Sequence, residues 1–187
     1  MAILFVNACG GNEASHTLRL CRAYLEGDPY DEVDLAVLDL RPLTAAQAAD
    51  RAVREAAGAW DDPMFGLAHQ LAAADEVVVG APYWDLSFPA ALKVYVEHAS
   101  VNGATFHYTE EGRYEGLCRS RRMVYVSSCG GYVAGANYGY EYMCGIARMF
   151  GLGETFQIAA EGMDVRGVDT DAVMADALAR VRALRDR

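Results

Sequence analysis

The stretch Val77-Val-Val-Gly-Ala-Pro-Tyr-Trp-Asp-Leu-Ser-Phe-Pro-Ala-Ala-Leu-Lys-Val-Tyr-Val-Glu97 decides how the chain folds. Three successive valines read as a buried strand. Pro89 opens a helical pattern, because a proline suits a first helical turn whose N–H would lack a partner anyway. Pro82 to Phe88 is therefore a loop at the carboxyl end of a central strand, where open α/β sheets bind ligands. Tyr83, Trp84 and Asp85 between two prolines are unusual loop residues. A stiff aromatic loop suits a flat, conjugated ligand that can stack on it. It also suits burial under a neighbouring segment or a second subunit.

Working outward, Ala2–Val6 is a second apolar run, and Ser15 can cap a helix reaching about Glu26 with Leu18, Cys21 and Leu25 on one face. Val33, Leu35 and Val37 alternate with Asp34 and Ala36, as in a half-exposed edge strand. Thr44–Ala57 is alanine-rich and helical, and Asp61-Asp62-Pro63 starts a further helix running to Ala73. Beyond Glu97, residues 104–118 form a hairpin-like excursion around Glu110-Glu-Gly-Arg113. Arg122–Val126 and Phe156–Ala160 are strands, separated by a helix from about Tyr138 to Phe150. Asp169–Arg187 closes the chain as a helix with Met174, Leu178, Val181 and Leu184 inward.

Strands alternate with helices, so residues 1–187 form one doubly wound domain with helices on both faces of a five-stranded parallel sheet. An alternating edge strand second in sequence fits the flavodoxin-like order 2-1-3-4-5.

Composition bounds the function. The formal net charge is −10, which repels nucleic acid and anionic membrane surfaces. No apolar run approaches a membrane span, and no basic region precedes Ala2–Val6, so no signal peptide is expected. Five cysteines without a CxxC pair indicate free thiols in a reducing cytosol. The four histidines show no zinc-binding spacing, so no metal is expected.

Three loops share one end of this sheet. In Cys9–Ser15 the chain enters a helix, so the N–H groups and hydroxyls of Ser15, His16 and Thr17 suit an anion such as phosphate. Ser15 could equally be only a helix cap. The loop is not a Walker loop, and Gly10-Gly11 does not complete a dinucleotide fingerprint. Pro82–Phe88 supplies an aromatic wall. Ser127-Ser-Cys-Gly-Gly131 lets a main chain approach a ligand closely, or is merely a tight turn. Together these three parts describe a site for FMN.

The residues also resemble a known family, the FMN-dependent NAD(P)H:quinone oxidoreductases and azoreductases. Ser15-His-Thr17 is similar to its phosphate-binding Ser-x-Ser/Thr. Pro82-Tyr-Trp-Asp-Leu-Ser-Phe-Pro89 resembles its Pro-Met-Tyr-Asn-Phe-Asn-Ile-Pro loop. Ala104-Thr-Phe-His-Tyr-Thr-Glu-Glu-Gly-Arg-Tyr-Glu-Gly-Leu117 resembles its Gly-Val-Thr-Phe-Arg-Tyr-Thr-Glu-Asn-Gly-Pro-Glu-Gly-Leu segment, and Ser128-Cys-Gly-Gly131 its Ser/Thr-Arg-Gly-Gly loop. Three departures stand out: Asp85 replaces an asparagine, Cys129 an arginine, and Cys9-Gly-Gly11 lacks a frequent Ser-Pro.

The resemblance implies FMN held by Cys9, Ser15, His16, Thr17, Pro82, Tyr83, Trp84, Asp85, Ser128, Cys129, Gly130 and Gly131. It implies a homodimer with sites at the interface and hydride transfer from NADH or NADPH through flavin N5 to a quinone or azo acceptor. A pocket outlined by Trp84, Tyr108 and Gly130, too small for both partners at once, points to ping-pong turnover, and the free thiols point to the cytoplasm. No side chain is then needed for catalysis, and Trp84, Tyr108 and Tyr132 outline the substrate pocket. The contrasting readings are a flavodoxin-type electron carrier, which the acidic charge suits and the excursion at 104–118 does not, and a flavin-less binding protein on the same scaffold.

Overall fold

A computed structural model describes residues 1–135 and 137–187. Five strands pair in parallel in the order β2-β1-β3-β6-β7: β1 (Ile3–Asn7), β2 (Tyr30–Asp34), β3 (Glu76–Gly80), β6 (Arg122–Ser128) and β7 (Glu154–Ala160). This is the 2-1-3-4-5 order expected for the main sheet. The intervening β4 (Phe106–Tyr108) and β5 (Tyr114–Gly116) form a separate antiparallel hairpin.

The pleat sorts the central strands into two cores, because successive side chains point to opposite faces. Leu4, Val6, Val77, Val79, Met123 and Tyr125 face α4 (Ala90–Ala99) and α5 (Tyr138–Phe150). Ile3, Phe5, Val78, Val124, Val126 and Ile158 face α1 (His16–Leu25) and α6 (Thr170–Arg185). The valine run is buried on both sides, which explains why it lacks alternation. Along α6, Met174, Ala177, Val181 and Leu184 are buried; Leu178, expected inward, is only half-buried at the edge of the same core.

The edge strand differs from its expectation. It spans Tyr30–Asp34 rather than Val33–Val37, and Val37 is 81% exposed. The Asp34 carboxylate accepts from the Ala36 N–H at 2.9 Å and its carbonyl from the Val37 N–H at 3.2 Å. That turn ends the strand three residues before the last valine of the pattern, since aspartate offers the backbone a local alternative to the ladder. The helix expected at Thr44–Ala57 forms as α2 (Ala45–Ala56), with a capping box between Thr44 and Gln47. None of its residues is buried; Arg51 anchors it through a 2.9 Å bond to the Glu97 carbonyl.

The 104–118 excursion is docked firmly. Thr105, fully buried, donates to the Ala99 carbonyl at 2.8 Å, and the Leu117 N–H reaches the Thr105 carbonyl at 3.0 Å. Gly116 crosses the end of α5 so closely that a Cβ there would overlap the Gly151 main chain. At the opposite end of the sheet from the loops, Glu76, 1% exposed, is satisfied by the Tyr24 hydroxyl at 2.6 Å and the Arg122 guanidinium at 2.7 Å. Among the described residues, no helix is long and apolar enough to cross a membrane.

Candidate functional site

The loops after β1, β3, β6 and β7 meet above the carboxyl ends of the strands and enclose a cleft of about 640 Å³. That volume falls within the roughly 300–1,000 Å³ of small-molecule sites. It lies where strand order reverses, β1 sending the chain outward to β2 and β3 starting the other half.

The first wall is the entry to α1. Asn12 shapes it, its side chain accepting from the Ala14 N–H and its carbonyl from the Ser15 N–H, both at 3.0 Å. Ser15 caps the helix, accepting from the Leu18 N–H at 3.3 Å. Among the described residues, none accepts from the His16 or Thr17 N–H, so two donors and the positive end of the helix dipole remain for an anion. Burial pushes the Cys9 thiol up to about 11, against the lowering effect of the Ser15 hydroxyl; Cys9 is a neutral neighbour of this anion end.

The second wall is the aromatic loop. Main-chain bonds between Trp84 and Ser87, at 3.1 and 2.8 Å, close a two-residue hairpin turn. Its centre residues, Asp85 (φ 50°) and Leu86 (φ 69°), both adopt the left-handed conformation without a glycine, at a cost of order 1–3 kcal/mol each. The turn projects Trp84 and Leu86, which are 52% and 62% exposed. The Tyr83 N–H fastens the loop's base to the Ser128 carbonyl at 2.9 Å.

The third wall is Ser128–Gly131. The loop after β7 holds it through three of its own N–H groups: Gly162 to the Gly131 carbonyl, Met163 to Cys129 and Asp164 to Gly130, at 2.7, 3.0 and 2.8 Å. The carbonyls are thus consumed, while no described main-chain carbonyl takes the N–H of Gly130 or Gly131. Burial raises the Cys129 thiol above its ordinary range, although a hydrogen bond with the Gly131 main chain works against this. Cys129 is therefore a protonated packing residue near neutral pH.

Nine of the twelve residues expected around FMN line the cleft: Cys9, Ser15, His16, Pro82, Tyr83, Trp84, Ser128, Cys129 and Gly130. Three do not. Thr17 is fully buried behind the wall, its hydroxyl 2.7 Å from that of Ser128. Asp85 sits at the exposed turn tip, and Gly131 lies beyond the rim. The expected substrate-pocket residues Tyr108 and Tyr132 are also outside; Tyr108 packs edge-on to Phe106 at 5.5 Å, and Tyr132 covers Gly162. Sequence reading missed Gly10, Asn12, Ala14, Met163 and Asp164 as lining residues. Asn12, an asparagine before a helix start, was legible as a turn residue; Met163 and Asp164 carried no local signal.

The donor set fits FMN. Free N–H groups, a hydroxyl and an imidazole lie at the helix end, matching a phosphate. Apolar and aromatic groups line the middle, and the free Gly130 N–H with the Asp164 carboxylate lies at the far edge, matching a flat ring with a polar rim. The arrangement is that of a doubly wound nucleotide- or flavin-binding protein.

Comparison with known proteins gives the family. A family model described as flavodoxin-like fold matches residues 1–184, and the chain belongs to that family. It is 30% identical over 195 aligned positions to an FMN-dependent NADH:quinone oxidoreductase of Coprothermobacter proteolyticus, covering 97% of this chain and 96% of that protein. It is 38% identical over 122 residues to a protein of the same name from Clostridium beijerinckii, covering 64% of this chain and 61% of the relative's length. In fold it is similar to an FMN-dependent NADH-azoreductase of Bacillus anthracis solved in complex with FMN, with a TM-score of 0.84 and 19% identity over 100% of this chain and 98% of that one.

Proposed function

We propose that this protein is an FMN-dependent oxidoreductase that reduces quinones or azo compounds at the expense of NADH or NADPH. The observation that carries the reading is the meeting, in one cleft, of an anion-ready helix start, an aromatic wall and a glycine loop with the free Gly130 N–H. The names of the relatives point to the same activity.

The redox chemistry, acceptance of a hydride from a nicotinamide and its delivery to an acceptor, is that of FMN when bound. The protein's part is to bind and orient. Ser15 and the His16 and Thr17 N–H groups would hold the phosphate. Pro82, Tyr83 and Trp84 would form the wall against the ring. The Gly130 N–H would stabilise negative charge at the ring's polar edge, as a preorganised donor does. No general acid or base is required of the chain. A single cleft of this size supports sequential use of one opening by nicotinamide and acceptor, hence ping-pong kinetics. We also place the enzyme in the cytoplasm, on the strength of its five free cysteines.

A homodimer completes this reading. Leu86, Trp84 and Tyr138 are more than half exposed beside a groove lined by Phe88, Tyr138 and Tyr142, and exposed apolar patches of this kind mark contact surfaces. Among Tyr132, Tyr138, Tyr140 and Tyr142, which lie close together in the sequence, Tyr140 and Tyr142 pack inside the monomer against Tyr125 and Phe88, while Tyr132 and Tyr138 stay exposed. A second copy would supply the aromatic cover that Tyr108 and Tyr132 do not give within one chain.

The test is to reconstitute purified protein with FMN and record its absorption, then measure NADH oxidation over a grid of NADH and benzoquinone concentrations. Parallel double-reciprocal lines are expected. Failure to oxidise NADH or NADPH with any quinone or azo acceptor would overturn the enzyme reading. Sedimentation of a folded, active monomer at low micromolar concentration would overturn the dimer.

A further inference from the structure

Thr17 occupies the position at which the family motif places a phosphate-binding hydroxyl, yet its side chain is turned away from the cleft. It is fully buried, and its Oγ1 lies 2.7 Å from the Oγ of Ser128, a residue 111 positions later. Ser128 in turn accepts from the Tyr83 N–H through its carbonyl at 2.9 Å. Thr17, Ser128 and Tyr83 thus form one continuous hydrogen-bonded line from the helix start, through the glycine loop, to the aromatic loop. Ser15, by contrast, is half-buried and lines the cleft directly.

We propose that Thr17 is a positioning residue: its hydroxyl, paired with that of Ser128, fixes the spacing between the anion end and the ring-edge loop and makes no contact with phosphate. A threonine suits this role because branching at Cβ restricts χ1 and the buried hydroxyl must keep a partner. In the pair one hydroxyl donates and the other accepts, and burial of Thr17 shields the bond from competition by water. Loosening it lets the first and third walls move independently, which weakens every contact that depends on their spacing. The phosphate's own contacts, the Ser15 hydroxyl and the His16 and Thr17 N–H groups, do not pass through the two paired hydroxyls. The proposal rests on the flavin-binding reading above.

The test compares FMN with riboflavin, which has the same ring and no phosphate. Binding is followed by flavin fluorescence quenching on the full chain, with wild-type protein, Thr17→Val, Thr17→Ser, Ser128→Ala and the Thr17→Val/Ser128→Ala double variant. Loss of one hydrogen bond predicts a fall of roughly 3- to 10-fold in affinity. The fall should extend to riboflavin as well as FMN in Thr17→Val, and be absent in Thr17→Ser. The double variant should be no weaker than the weaker single one, as for two members of one bond. If Thr17→Val does not fold, Thr17→Ala takes its place, with the same loss for both flavins expected. A loss confined to FMN, or additive effects, would overturn the positioning role while leaving the flavin site standing. Absence of saturable binding of either flavin by wild-type protein would overturn the flavin reading and the inference together.

Discussion

The carboxylate of Asp164 stands where a side chain at Gly130 would have to go. A Cβ built on Gly130 overlaps the Asp164 side chain, and the two residues are held together by the Asp164 N–H bond to the Gly130 carbonyl at 2.8 Å. A side chain at Gly130 would therefore force the Asp164 carboxylate to turn aside at the edge of the cleft.

Gly130→Ala should consequently lower flavin affinity. Turning an exposed carboxylate aside costs less than the roughly 1–3 kcal/mol of core overpacking, so the fall should stay below about 5-fold. The clash is with the end of an exposed side chain, so the Gly130→Ala/Asp164→Ala double variant should recover most of the loss. Flavin titration of the four proteins measures this; no recovery would mean that the glycine is needed for contact with the ligand rather than for room beside Asp164.

Ser15→Ala should act on FMN and spare riboflavin, whereas Thr17→Val should weaken both. A hydrogen bond to a charged group contributes about 1.5–3 kcal/mol, so FMN affinity should fall roughly 10- to 150-fold. The lost cap should also cost about 1 kcal/mol of stability, visible in urea unfolding without ligand. Equal loss of both flavins would assign Ser15 to the scaffold.

Arg122→Ala should be among the most destabilising single changes distant from the cleft. It strips the 1%-exposed Glu76 carboxylate of its cation and leaves only the Tyr24 hydroxyl. Removing one partner of a buried pair costs about 3–5 kcal/mol. Glu76→Gln/Arg122→Met, which removes both charges, should be much closer to wild type. Chemical unfolding gives the comparison, and similar stabilities for Arg122→Ala and wild type would refute it.

Alkaline stability should depend on Cys9. The thiol's ordinary value is 9.0, and burial raises it to about 11 in the folded chain. Between those values the unfolded chain releases its proton first, so unfolding gains as pH rises; stability is unaffected below pH 9 and declines until about pH 11. Two units correspond to a loss on the order of 2–3 kcal/mol. Cys9→Ala should flatten part of that decline when urea unfolding is repeated across the window. At pH 7.5 the same protonated, buried thiol should resist iodoacetamide in the native protein; rapid native labelling would contradict the assignment.

Much of this protein was legible in the sequence because the relevant signals are local. The valine run before a proline-bounded loop located the central strand, and alternation of strands with helices located the sheet. The two-faced burial of Val77–Val79 follows from the helices packed on either side. Ser15, Tyr83, Trp84 and Gly130 were legible as cleft residues because strand ends and helix starts are set by turn chemistry within a few positions.

Other assignments depended on partners distant in the chain. Val37 fell outside its strand because the Asp34 turn outcompeted the ladder. Thr17 left the cleft because Ser128, brought beside it by the folding of β6, offered its hydroxyl a buried bond. Asp164 entered because three main-chain bonds fasten the loop after β7 onto Cys129–Gly131. The sequence alone determined the elements, their order and the end of the sheet where a ligand goes, since periodicity and capping act over one or two turns. Tertiary structure decided which side chains face that ligand and which hold the walls apart, because a hydroxyl or carboxylate takes whichever partner long-range packing presents.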